Sequence, residues 1–235
     1  MIGSVHIADV GLRHMISTVR HSRRIDGVAG LRHSHVALAA PLRGGGVPSA
    51  QPARVALIGF WDDDAALDAF EGSQLASALA GGWSVRLQPL RMFGSWPGVP
   101  ADVPHERKVD HEGPVAVLTL GRLRFARAIP FFRTSVKAEK AARAADGMLW
   151  ATALSLPPFV ATCSVWRDSA ASMTYAFGRR DPGHPDAIDV DRRKPFHHQE
   201  AFIRWHPYRA TGHLDGRNPL PKSVTDLVGV SPFVQ

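Results

Sequence analysis

The sequence predicts an α+β protein: two tandem ferredoxin-like (βαββαβ) repeats forming a pseudo-dimeric α+β barrel. Three observations predict it. The 235 residues suit one large domain or two small ones. The chain matches itself at two places. Each half also reads as strand-helix-strand-strand-helix-strand.

The first self-match pairs Phe60–Phe70 with Val165–Tyr175 at an offset of 105, with four of eleven positions identical. The second pairs VRLQPLRMFGSWPG (Val85 to Gly98) with IRWHPYRATGHLDG (Ile203 to Gly216) at an offset of 118. There Arg86/Arg204, Pro89/Pro207, Arg91/Arg209, Gly94/Gly212 and Gly98/Gly216 are identical. Chance gives roughly one identity in fourteen positions. The larger second offset implies an insertion in the second copy. It falls near Gly178 to Pro195, which is rich in Gly, Pro and charge as loops are.

The elements follow in order. Ser4–Ala8 reads as a first strand, and Val115–Leu120 as its better-formed counterpart. A helix follows each, ending at Asp26-Gly27 in the first copy and running from Arg124 to Ala145 before Asp146-Gly147 in the second. Strands come next at His35–Ala40 and Arg54–Trp61, separated by a long Gly/Pro loop with Gly44–Gly46 as a hairpin tip. Their counterparts are Leu149–Leu156 and Phe159–Trp166, joined at Pro157-Pro158. Asp63 and Asp168 are placed to cap helices over Ala65–Ala80 and Ala170–Phe177. Alternating strands close the copies at Trp83–Met92 and Ala201–Ala210. The repeats are thus 1–112 and 113–220, and 221–235 is a tail.

A four-stranded sheet with helices on one face leaves its other face bare. Two such sheets on one chain can cover each other and enclose an interior that holds a ligand.

Composition narrows the function. The chain is 45% hydrophobic and 21% charged, as a soluble globular protein is. Cys163 is the single cysteine, which excludes an intrachain disulfide, a Cys-based zinc site and a CxxC pair. No apolar run spans a bilayer, and the N-terminus lacks a signal-peptide core, so the expected compartment is cytoplasmic. The net charge is +7, but 23 of the 28 basic residues are arginines scattered along the chain, a compositional bias rather than a nucleic-acid footprint. The central strands lack the aromatic platforms of RNA-binding ferredoxin-like domains. No phosphate loop, nucleophile elbow or HExxH appears.

Histidines number twelve and gather late, at His184, His197, His198, His206 and His213. Adjacent His197 and His198 point to opposite faces of an extended stretch and cannot share a metal. His184 lies in the insertion of the second copy, where an asymmetric site would arise. The paired arginines read either as ion pairs with the Asp-rich helix starts or as anchors for a carboxylate. Trp61 and Trp166 end equivalent strands and read as packing residues beside a pocket mouth.

The segments PPFVATCSVWRDSAASMTYAF, HPDAI and EAFIRWHPYRATGHLDGRNPL resemble the spheroidene monooxygenase (CrtA-like) family over about Gly113 to Leu220. The first half carries His33-Ser34-His35 and Gly44-Gly45-Gly46 where that family has an aromatic, Gly-Ser-Gly-rich stretch. The resemblance implies a haem-associated monooxygenase of the dimeric α+β barrel superfamily, acting on a hydrophobic, carotenoid- or isoprenoid-like molecule. It makes His184 the axial-ligand candidate for haem iron, with Arg204 or Arg209 pairing with the propionates. The implied partners are a hydrophobic substrate and an electron donor, with no nucleic acid and with room for a peripheral membrane contact. The chain is expected as a monomer or homodimer. Two other readings stand beside it: a cofactor-free oxygenase of the antibiotic-biosynthesis type, and a non-catalytic barrel that binds a hydrophobic ligand.

Overall fold

The computed structural model describes residues 1–12, 15–16, 22–42, 53–106, 111–177, 195–221 and 224. Eight described strands close a barrel: β1 (Ile2–Asp9), β2 (Leu31–Pro41), β3 (Arg54–Trp61), β4 (Trp83–Gly94), β5 (Val115–Leu123), β6 (Met148–Leu156), β7 (Phe159–Trp166) and β8 (His197–Gly212). Around the barrel they run β1-β3-β2-β6-β7-β5-β8-β4, and every neighbour is antiparallel. The first four strands therefore lie in the order β4-β1-β3-β2. The last four lie in the order β8-β5-β7-β6, the same pattern shifted by four.

Two seams join the halves. β4 and β8 pair from Trp83↔Gly212 to Gly94↔Ala201. Among the described residues β2 and β6 pair from Leu38↔Ser155 to Pro41↔Thr152.

Alternation explains the layers, since successive strand side chains face opposite ways. Val5, Ile7, Ala56, Ile58, Phe60, Leu118, Leu120, Ile203 and Trp205 form the inner core. Val55, Leu57 and Trp61 face outward and are covered by Leu67 and Phe70 of helix α1 (Asp64–Glu71). In the second half Val115 and Trp166 pack with Ala171 of α3 (Ser169–Phe177). Helix α2 (Ala128–Ala144) sits over Leu123 and Val160 through Ala128 and Phe131.

The expected chamber is filled at its middle. Phe60 and Trp205 stack at 6.1 Å, and Leu87 and Leu118 beside them have no exposure. Gly3 leaves the space that the Trp205 ring takes, since a Cβ there would lie 2.9 Å from it. An eight-stranded barrel is just wide enough for side chains this large to close it. Cys163 belongs to the same core, and burial pushes its thiol up to about 12, so it stays protonated.

The helix expected over Ala65–Ala80 is broken. α1 stops at Gly72, and a 3-10 turn over Gln74–Leu79 follows. Glycine gives up most backbone entropy in a helix, and Ser73 bonds back to the Phe70 carbonyl instead of continuing it. Of the first-copy helix, 13–14 and 17–21 lie outside the described residues, and it ends in a 3-10 turn at Ser22–Gly27. The Gly44–Gly46 tip, residues 178–194 of the insertion and most of the tail also lie outside them. Leu214 and Leu220 at the end of the second half, and Val224 of the tail, pack on the barrel.

Equivalent positions in the halves make equivalent contacts. Asp63 accepts from Ala66 N at 2.9 Å and Asp168 from Ala171 N at 2.7 Å, each capping its helix. Trp61 meets Phe70 and Trp166 meets Tyr175, both at 5.0 Å. Both tryptophans thus pack under helices on the outer face, not at a pocket mouth. Gly30 O accepts from Asp62 N and Gly147 O from Arg167 N. Gly30, not Gly27, is therefore the counterpart of Gly147. Both have positive φ, +74° and +83°, and a Cβ on either would run into the Cβ of Ala66 or Ala171.

Gly30→Ala therefore meets both a strained backbone and a helix in contact. We expect a loss of at least about 1 kcal/mol. A thermal melt should show this as a fall in Tm of several degrees, and Gly147→Ala should behave alike.

Candidate functional site

Of the residues singled out in the sequence, His184 lies outside the described residues. Arg204 and Arg209 both fall on β8, Arg204 buried and Arg209 exposed. They do not act as a pair. In the β4–β8 seam Arg204 lies opposite Arg91, and Arg209 opposite Arg86.

Arg86 shows what this position does in the first half. Its guanidinium bonds Asp64 at 2.7 Å, and Asp68 and Glu71 at 2.5 Å each, all from α1. The ion-pair reading of the arginines thus holds for Arg86. Three carboxylates on one helix face suit a nearly buried cation, because charge-assisted bonds offset its lost hydration.

The second half has the arginine without the carboxylates. At the offset of 105, α3 has Ser169, Met173 and Ala176 where α1 has Asp64, Asp68 and Glu71. Arg204 is 8% exposed, yet its Nε has no hydrogen-bond partner. Ser169 Oγ, the counterpart of the Asp64 carboxylate, is also buried without a partner. Burial, and then the charge of Arg91, lower the Arg204 pKa from its ordinary value. A guanidinium in this setting stays charged, and among the described residues no carboxylate pairs with it to offset its lost hydration. Two orphaned polar atoms on the helix side of this sheet suit an anion: the guanidinium can take a carboxylate, and the hydroxyl can donate a further bond. His206 lies two residues along the same strand face, with the His111 ring 4.6 Å away.

A second polar cluster closes one end of the barrel. His33 and His35 stand at i and i+2 on β2, so both face the same side. Their Nε2 atoms are 3.0 Å apart. Trp96 Nε1 donates to His35 Nε2 at 3.2 Å. An indole N–H only donates, so His35 Nε2 must be the acceptor and His33 the donor between the two rings. His35 stacks on Phe159 at 4.0 Å, and Arg122 lies over Trp96 at 5.7 Å. Burial, His33 and Arg122 push the His35 pKa down to about 3. Burial and Arg122 lower that of His33, with Asp26 opposing. Beside this cluster lies a cleft of about 160 Å³, lined by Asp26, Ser34, His35, Val36, Leu156 and Phe159. It opens where β2 loses β6 as a partner, beyond Leu38↔Ser155. Room of this size suits a single ring, since a cavity of about 150 Å³ holds benzene.

Sequence reasoning missed this cluster, though a signal was present. Alternation separates adjacent His197 and His198, and the same alternation brings His33 and His35 together. Among the described residues, no group of three or more His, Cys, Asp or Glu side chains is arranged to hold a metal ion.

No protein-family model matches the chain, and no curated protein sequence matches it. Solved structures do. An aldoxime dehydratase superposes with a TM-score of 0.55 at 10% identity, over 88% of this chain and 80% of that one. A monooxygenase-like protein from Listeria innocua gives 0.30 at 13%, over 86% and 93%. A heme-degrading enzyme from Listeria monocytogenes gives 0.31 at 12%, over 85% and 98%. At such identities the likeness to the first is one of fold.

The His35 environment has a measurable effect. Its folded pKa lies below the unfolded value near 6.5, so the unfolded chain binds more protons between those values. Stability is then full above pH ~6.5 and falls as the pH drops towards 3. His6, held down to about 4 by burial and Arg86, adds to the same trend. His35→Phe preserves an aromatic stack and removes one titration. Urea melts at pH 7 and pH 5 should show the variant losing about 1–2 kcal/mol less than the unaltered protein.

Proposed function

We propose that the protein is a monooxygenase acting on a hydrophobic, carotenoid- or isoprenoid-like small molecule, and that it uses haem. The observation that carries the reading is Arg204 with Ser169: a buried cation and a buried hydroxyl, both unpartnered, where the other half of the barrel has an ion-pair cage. A haem propionate is an anion of the right chemistry for them. The reading also rests on the spheroidene monooxygenase resemblance of residues 113–220. The fold shared with an aldoxime dehydratase is compatible with it.

Bound haem would supply the iron at which dioxygen is activated. The chain's own residues bind and orient. Arg204 takes a carboxylate through its guanidinium, with Arg209 as the second candidate, and the Ser169 hydroxyl donates to the same anion. His184 would hold the iron through a neutral imidazole. The site lies on the helix side of the second-half sheet, because the inner face is occupied by Phe60 and Trp205. The apolar side chains Val115, Val117 and Met148 near that face would keep water from a hydrophobic substrate.

The reading includes a duplication, with residues 1–112 and 113–220 as tandem ferredoxin-like repeats. The repeated strand order, the paired caps at Asp63 and Asp168 and the paired glycines at Gly30 and Gly147 support it.

One observation favours the cofactor-free oxygenase as a second reading. His33 and His35 are held neutral beside Arg122 at a cleft fit for one ring. That chemistry would bind and polarise an ionisable aromatic substrate without iron.

Reconstitution with haem separates the two readings. The haem reading expects a Soret band that His184→Ala shifts or abolishes. It expects Arg204→Gln to weaken haem binding by about tenfold or more, the worth of a charge-assisted bond, and Arg209→Gln to weaken it less. Folded protein that takes up no haem defeats this reading. Turnover by haem-free protein, lost in His35→Phe, selects the second.

A further inference from the structure

The turn leading into α2 and the first two turns of that helix carry large apolar side chains that stay exposed. Phe125 is 70% exposed, Ile129 67% and Phe132 43%. The 3-10 turn Phe125–Arg127 leads directly into α2, so the three stand at i, i+4 and i+7 and share one face. Their neighbour Phe131 turns the other way, against Phe196 and His197. The element therefore has one apolar side for the barrel and a second for something outside it.

Charge indicates what lies outside. From Gly113 to Ala138 the sequence has no Asp or Glu, but has Arg122, Arg124, Arg127, Arg133 and Lys137. Arg124 and Arg133 are exposed beside the stripe. Bulky apolar side chains ringed by arginine, with no carboxylate among them, match a surface whose headgroups are anionic and whose interior is hydrocarbon. A second protein fits less well. Three side chains of at most about 200 Å² each fall short of the ~800 Å² per partner of a standard interface. Insertion into lipid has no such threshold. Among the described residues no helix is long and apolar enough to cross a membrane, so such contact would be peripheral.

We propose that Phe125, Ile129 and Phe132, flanked by Arg124 and Arg133, form a docking surface for an anionic lipid bilayer. The inference does not depend on the haem reading.

Vesicle co-sedimentation of the full chain tests it. The protein should bind vesicles of phosphatidylcholine with phosphatidylglycerol, bind phosphatidylcholine alone more weakly, and lose binding as salt rises. The triple variant F125S/I129S/F132S should partition at least tenfold less while still melting in one cooperative transition, because Phe125 and Ile129 are mostly exposed and Phe132 partly so. R124Q/R133Q should lose the preference for anionic vesicles. L75S, which removes a 44%-exposed leucine elsewhere, should change neither. The proposal is overturned if the unaltered protein binds neither kind of vesicle, or if the triple variant binds as the unaltered protein does. It is also overturned if sedimentation velocity shows the triple variant dissociating an oligomer, which would make the stripe a contact between copies.

Discussion

Edge pairing is the constraint on which this structure depends. A four-stranded sheet with helices on one side has a bare apolar face and two open edges, and each is a liability in water. Here one arrangement answers both. β4 pairs with β8 and β2 with β6, so no edge is left over their paired lengths, and the two bare faces become a common interior. Trp205 from one half rests against Gly3 and Phe60 of the other. Closure and core filling are thus the same event, and neither half is satisfied alone.

Once the interior is used as core, specialised chemistry is left to the ends and the outer faces. The two outer faces differ in charge while sharing a shape. The first places three carboxylates around Arg86, and its helix is held to the sheet by ion pairs as well as packing. The second keeps the caps, the tryptophan and the glycine turn but has neutral residues on α3. Its arginine is left without a carboxylate and opposite a second arginine, Arg91. Arg54 supplies a contrast: also buried, it is paired with both Asp9 and Asp215. The fold therefore pairs Arg54 and Arg86 with carboxylates, and of the three described arginines buried this deeply Arg204 has no such ion pair.

Much of the fold was legible because it is written in periodicity and repetition. Strand alternation and two self-matches located all eight described strands. The pairing of Arg86 with Arg209 and of Arg91 with Arg204 follows from the same equivalence. Other features were not legible. The break after Gly72 depends on one serine bonding backward rather than on the apolar pattern. The filled interior depends on summed side-chain volumes around the barrel, which no local window contains. Of the candidate site, the arginines were visible as a repeated pair, but that only one of them lacks counter-charges became clear when α1 and α3 were laid over their strands. His33 and His35 were in plain view as a motif, yet their worth lies in convergence with Trp96 and Phe159 from distant strands and loops.

The two joints between the halves are unequal. One runs nearly the whole length of β4, from Trp83 to Gly94, whereas the other, among the described residues, is fastened from Leu38 to Pro41. Under thermal agitation or mechanical load such a cylinder parts first along its short fastening and swings about the long one, as a clamshell does. The weaker line passes beside His35 and Phe159, so the wall would gape there before the rest of the barrel yields.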